Sequence, residues 1–257
     1  MSILDAFILS LVEGVTEFLP ISSTGHLNLA STLLGIEKNG FFTSFEIYIQ
    51  LGAVLAVCVL YGKMVIVKPE IMKKIIAGFI PTAIIGLILY KFIKHFLLGN
   101  DIITLIALLT GGIALIILEL MYKEQEHHVQ QVSNISYTNA ILIGIAQSLA
   151  IIPGISRSAA TIFAGLFLGI RRRTATEFSF LLATPTMLAA TVLDLKESSF
   201  AFSSTQWMLI VVGFIGSFIT AFFAMKWLLK YIQTHTFIPF GIYRIILALL
   251  FFLFIIR

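Results

Sequence analysis

Cysteine occurs once in the 257 residues, as Cys58, so the chain holds no internal disulfide and no paired thiolate metal ligands. Charge is also scarce: Lys, Arg, Asp and Glu together make up 12% of the residues, too few to cover the surface of a soluble domain. No stretch alternates polar and apolar residues over about ten positions, which excludes the strand pattern of an outer-membrane barrel. The first twenty residues lack a basic segment and a small-residue cleavage site and carry Asp5, Glu13 and Glu17, so a removable signal peptide is not expected.

What remains is apolar. Hydrophobic residues reach 59%, with 23 Phe, and the mean hydropathy is +1.03. Apolar runs at 45–61, 75–93, 102–121, 178–195, 207–225 and 239–256 approach the roughly 20 residues that cross a bilayer. They predict six transmembrane helices. Segments 1–35 and 138–170 are apolar too, but polar residues and proline interrupt them. Irregular backbone at membrane depth must be enclosed by protein or line a cavity, so both read as re-entrant helical hairpins. "VEGVTEFLPISSTG" lies over "AQSLAIIPGISRSA", with Glu13 over Gln147 and Ile21-Ser22 over Ile155-Ser156. One hairpin and three spans per half invert the second copy. The expected fold is an all-α polytopic membrane protein with an inverted-topology repeat. It forms a single membrane domain over 1–257, with halves of about 1–121 and 138–257 joined by a polar loop, 122–137.

The net charge of +4 sits at span ends, where it sets topology; nucleic acid is not an expected partner. With loop 62–74 inside, the cytoplasmic face receives Lys63, Lys68, Lys73, Lys74, Lys123, Arg171, Arg172, Arg173, Lys226 and Lys230. The outer face receives Lys38, Lys91, Lys94, Lys196 and Arg257. Both termini and the mouth of the first hairpin then lie outside. Cys58 reads as packing, Glu124 to His128 as a solvated loop, Arg171 to Arg173 as a headgroup anchor, and Arg244 as a snorkelling side chain. Pro81 and Pro185 read as kinks; Gly111-Gly112 and "GFIGS" at 213–217 read as close helix contacts.

The chemistry concentrates in the two interrupted segments. Glu13 and Glu17 share a helix face, and carboxylates within a membrane usually face a cavity. After Pro20, Ser22, Ser23 and Thr24 suit the start of a new helix, whose exposed N–H groups favour anions. "PGISRSAAT" repeats the device: Pro153 and Gly154 break the helix, Ser156 and Ser158 cap, and Arg157 offers a fork that matches phosphate. The expected phosphate pocket uses Ser22, Thr24, Gly25, Gly154, Ser156 and Ser158, with Gln50 at its edge. A polyanion beside two glutamates calls for a divalent cation, Mg²⁺ or Ca²⁺ on Glu13 and Glu17, or for one protonated glutamate. His26 stands one turn beyond Ser23, placed for proton exchange with an attacking or leaving oxygen. Ser23 is either a nucleophile with Glu17 or His26 as base, or a phosphate binder while water attacks.

These two motifs, "EGVTEFLPISSTGHL" and "PGISRSAAT", resemble the signature regions of the undecaprenyl-diphosphate phosphatase family of the bacitracin-resistance type, and the resemblance spans the full chain. It implies a bacterial plasma-membrane enzyme that removes the terminal phosphate of a C55 isoprenoid diphosphate, regenerating the monophosphate carrier of cell-wall precursors. It places the family's glutamates on Glu13 and Glu17, its serines on Ser22 and Ser23, its histidine on His26 and its arginine on Arg157. Where the family usually has glycine after "SRS", this chain has Ala159. The partners implied are the lipid diphosphate and membrane lipids; a homodimer is compatible with this reading. The other lipid-phosphatase superfamily does not match, because there is no Arg-Pro dipeptide and Phe163 stands six residues after Arg157. A lipid-phosphate flippase using the same pocket is the competing reading, separated by whether phosphate is released.

Overall fold

Seven polar residues at the interruptions of the apolar sequence become helix caps. Ser2 and Asp5 form a capping box on α1 (Ile3–Thr16), and Ser22 caps α2 (Ser23–Leu33). Asn39 caps α3 (Gly40–Val67), and Asn100 caps α5 (Asp101–Met121). In the second half Ser136, Ser156 and Ser203 cap α6 (Tyr137–Gln147), α7 (Arg157–Phe167) and α9 (Ser204–Tyr231). Each side chain accepts a backbone N–H that the first turn leaves unpaired. Helix α4 (Pro69–Phe92) opens on proline, where the missing N–H costs nothing. α8 covers Arg172–Glu197, and α10 covers Ile238–Phe251 and runs on through a π-helical turn, Phe252–Ile256. The computed structural model describes residues 1–92, 97, 100–197 and 202–256. Lys94 and Arg257, assigned above to the outer face, lie outside the described residues, as do the side chains of Lys91 and Lys196.

The protein is all-helical with the apolarity of a membrane protein: α3, α4, α5, α8 and α9 are each long and apolar enough to cross a bilayer. They fall on five of the six predicted runs; the last run is α10 with its π turn. The helices outrun the apolar stretches, as at Gly40–Val67 against 45–61, because the caps lie in the polar flanks.

Segments 1–35 and 138–170 each fold as helix, break, helix. Ser22 has φ 71° and Ser156 φ 74°, the two positive-φ residues other than glycine among those described, and both cap the helix that follows. The register read from sequence therefore returns in the backbone. The long helices α3, α4 and α5 follow the first break and α8, α9 and the shorter α10 the second, and the two segments interlock: α1 packs on α9, α6 on α4, α3 on α8 and α5 on α10. Glycines make the close crossings, since a Cβ on Gly112 would meet the Gly241 carbonyl, and one on Gly213 would meet Phe45 and Ile49. Pro81 and Pro185 lie inside continuous helices.

Three expectations are corrected. Cys58 is exposed on the outer surface of α3 rather than packed. Arg244 does not snorkel: it is fully buried, because helix breaks leave carbonyls that can satisfy a guanidinium without any carboxylate. The Arg171–Arg173 run, read as a headgroup anchor, is paired with carboxylates of the protein itself. Arg172 donates to the buried Glu119 and lies 4.6 Å over the Tyr122 ring, Arg171 faces Glu124, and Arg173 pairs with Glu177. That cluster holds the polar loop against α7 and α8, aided by a bridge between Val129 and Ile170 and by the burial of Val132 and Ile135.

Candidate active site

The α1 helix ends at Thr16 with Glu17 as its C-cap, so the Glu17 side chain leaves the helix as the break begins. Six residues on, Ser23 opens α2, and its hydroxyl donates to Glu17 Oε2 at 2.6 Å. The other carboxylate oxygen accepts from Arg157 Nη2 at 3.1 Å, so one carboxylate joins the first residues of two helices from opposite halves. Arg157 is oriented by a bond from Nη1 to the Ser179 carbonyl at 2.9 Å and by the Phe18 ring, 5.5 Å away. Its Nε is buried without a partner. Glu17, Ser23 and Arg157 are therefore a connected, buried, charge-balanced unit; such bonds between ionised groups are roughly twice as strong as neutral ones.

This unit lines a cavity of about 280 Å³. Ser22, Thr24, Gly154 and Ser156 line it as predicted, and Gln50 reaches it from α3. Gly154 has φ +95°, and a Cβ there would meet the Thr104 carbonyl, so the second break requires glycine on both conformation and space. Two helix N-termini thus open into one cavity beside a guanidinium, an arrangement that suits an anion.

Other predicted residues stand behind the cavity wall. Gly25 does not line it; its N–H caps back to the Ser22 hydroxyl, and its bare Cα faces Leu108. Ser158, expected as a cap, is the second residue of α7 and fully buried; its hydroxyl donates to the Leu19 carbonyl at 2.6 Å and ties the two breaks together. His26 also lies outside the lining. Its Nδ1 is 2.7 Å from the Ser22 carbonyl, which only an N–H can satisfy, and its Nε2 is 2.7 Å from the Tyr243 hydroxyl. The Tyr243 ring stacks on the imidazole at 5.4 Å. Glu13 is fully buried, and neither of its carboxylate oxygens has a partner. Two further acidic residues do not enter the unit: Glu46 on α3 makes no described hydrogen bond, and Glu177 on α8 pairs with Arg173.

Sequence reasoning missed the opposite wall. Gln147 Nε2 donates to both Thr82 and Thr186 at 2.9 Å, while those hydroxyls donate to the Gly144 and Leu182 carbonyls. With both Thr protons committed, the amide orientation is fixed, and Gln147 Oε1 is left as a buried acceptor without a donor. The overlay of Gln147 on Glu13 was the signal available for it. Beside this wall, Thr82, Ile151, Thr186 and Ala190 also line a second, almost wholly apolar cavity of about 630 Å³ between α4 and α8.

Comparison with known proteins identifies the family. The family model "Bacitracin resistance protein BacA" matches residues 6–250. The chain is 51% identical over 253 residues to an undecaprenyl-diphosphatase of Sulfurihydrogenibium sp. (strain YO3AOP1), covering 98% of this chain and 99% of that one. It is 49% identical over 247 residues to the undecaprenyl-diphosphatase of Aquifex aeolicus (strain VF5), covering 96% of each. A third undecaprenyl-diphosphatase, from Persephonella marina (strain DSM 14350 / EX-H1), is 47% identical over 255 residues, 99% of this chain and all of its own. With its paired serine-capped breaks and the match over nearly its whole length, this chain belongs to the bacitracin-resistance protein BacA family.

Proposed function

We propose that this protein hydrolyses undecaprenyl diphosphate to the monophosphate and inorganic phosphate. One observation carries the reading: Ser23, Glu17 and Arg157 form a single buried unit at two convergent helix N-termini, in a cavity that shares a wall with an apolar one. The diphosphate takes the polar cavity, where N–H groups and Arg157 meet its charge. The isoprenoid takes the apolar cavity between α4 and α8.

In this reading Ser23 Oγ attacks the terminal phosphorus as its proton passes to Glu17 along the existing 2.6 Å hydrogen bond. The bond to the bridging oxygen breaks, and the lipid monophosphate leaves. Glu17 gives that proton to the departing lipid monophosphate, takes another from the water that attacks the phosphoserine, and returns it to Ser23 Oγ as inorganic phosphate leaves. Arg157 stabilises the charge that spreads over the phosphoryl oxygens.

The buried, unpartnered oxygens of Glu13, one turn before Glu17, fit a hard divalent cation. Glu13 and Glu17 would hold it; among the described residues no three His, Cys, Asp or Glu side chains gather into a metal site, so these two carboxylates are the protein's only acidic ligands for it there. When bound, the ion neutralises negative charge on the diphosphate.

The same proposal takes the chain through the bilayer six times, with α1–α2 and α6–α7 as re-entrant hairpins in an inverted repeat. The matched serine caps, the apolar helices that follow each break and the interlocked packing support it. The excess of Lys and Arg on one side of that arrangement puts the mouth of the first hairpin on the external face of the plasma membrane.

The test is phosphate release from a C55 diphosphate by the purified protein in detergent, with and without EDTA. Release that EDTA abolishes and Mg²⁺ or Ca²⁺ restores supports both enzyme and cation. EDTA-insensitive release rules out the cation and leaves a protonated glutamate. No release under any condition overturns the hydrolase and favours a flippase.

A further inference from the structure

Arg244 is fully buried on α10, far in sequence from either motif, and it pairs with no carboxylate among the described residues. Every one of its guanidinium contacts is a backbone carbonyl. Nη1 donates to Pro20 at 3.4 Å and to Ile155 at 2.8 Å; Nη2 donates to Gly154 at 2.8 Å and to Ala107 at 3.0 Å; Nε donates to Leu108 at 3.4 Å. Three of these carbonyls lie within two residues of the positive-φ caps: Pro20 before Ser22, and Gly154 and Ile155 before Ser156. The register that lays Glu13 over Gln147 also lays Pro20 over Gly154, so one guanidinium grips the corresponding carbonyl of each half. That register puts Thr110 in the place of Arg244, and Thr110 bonds only within its own helix. The second half alone supplies this contact. The Arg is given room by Gly111, where a Cβ would run into Nη2 and Cζ.

We propose that Arg244 is a positioning residue for the hydrolysis: it fixes the two breaks relative to each other, so that Ser23 and Arg157 meet at Glu17. The proposal rests on the phosphatase reading for its kinetic consequence but not for its structural one. A serine at positive φ is held only where its surroundings over-determine it, and five forked donors from a planar guanidinium do so in a way a single ammonium cannot. Misplacing a reacting group by about 1 Å costs on the order of a hundredfold in rate.

The experiment compares Arg244→Lys and Gly111→Ala with the parent in detergent, reading kcat, KM and the separation of α2 and α7. That separation is read by pulsed electron paramagnetic resonance between spin labels at L33C and F167C, two exposed positions at the ends of those helices, in a Cys58→Ser background. The expected result is a fall in kcat of at least about tenfold with KM changed by less than about threefold, and a shifted or broadened distance distribution in both variants. If Arg244→Lys does not fold, Gly111→Ala, which keeps the arginine and displaces it, decides. An unchanged distance distribution overturns the proposal, and so does a kcat within about twofold of the parent. If the parent itself releases no phosphate, the hydrolase reading fails, and the distance measurement still tests the positioning role.

Discussion

At the residue scale, the account turns on one carboxylate with two partners. Glu17 accepts from Ser23 on one oxygen and from Arg157 on the other. Glu17→Gln removes the base and Arg157→Ala removes the phosphate fork, so each is expected to lower phosphate release by at least about a thousandfold. Both variants should still insert and purify, as membrane fractionation and size-exclusion chromatography would show. Near-normal turnover in either would contradict the assembled pocket. Arg157→Ala also strands a buried carboxylate, a lesion of about 3–5 kcal/mol, so its melting temperature should drop more than that of Glu17→Gln. These residues were legible in the sequence because each motif is short and its polar side chains have no other reason to sit in apolar surroundings. The role of His26 was less legible: the Tyr243 that holds it comes 217 residues later, and nothing local marks that pairing.

At the element scale, the breaks do the positioning. Pro20 and the Pro153-Gly154 pair stop two helices, and Ser22 and Ser156 restart them at nearly the same dihedral angles. Those punctuation marks are written in the sequence, and so the helix breaks could be read from it. The Gln147, Thr82 and Thr186 wall could not, because its members come from α6, α4 and α8 and meet only through the interlocked packing. The same distance hid Arg244, whose place near a span end resembles that of an ordinary interfacial cation until the carbonyls of the breaks are brought beside it. Packing makes a separate prediction here. Gly144 lies with its Cα against the backbone of Gly78, so Gly144→Val should overpack the α4–α6 crossing and cost about 1–3 kcal/mol. Thermal unfolding in detergent would register this as a lower melting temperature. No change there would mean the two helices separate more easily than their contact implies.

At the scale of the whole molecule, composition identified a membrane protein at once, and the overlay of Glu13 on Gln147 supplied the two-part plan. The proposed orientation rests on charge and puts Lys38 outside and Lys123 inside. In a Cys58→Ser background, a cysteine at position 38 should react with a membrane-impermeant maleimide on whole cells, and one at position 123 only after permeabilisation. The reverse pattern would turn the hairpin mouths to the other face. The apolar cavity beside the polar one then explains why a lipid diphosphate, rather than a soluble one, is the expected substrate. The most direct test of the central claim is product identity: purified protein is incubated with undecaprenyl diphosphate, and lipid products and phosphate are quantified together. The account predicts one lipid monophosphate for each inorganic phosphate, and neither from Glu17→Gln. Release of diphosphate with the free lipid alcohol, or intact substrate after incubation with the parent protein, would contradict it.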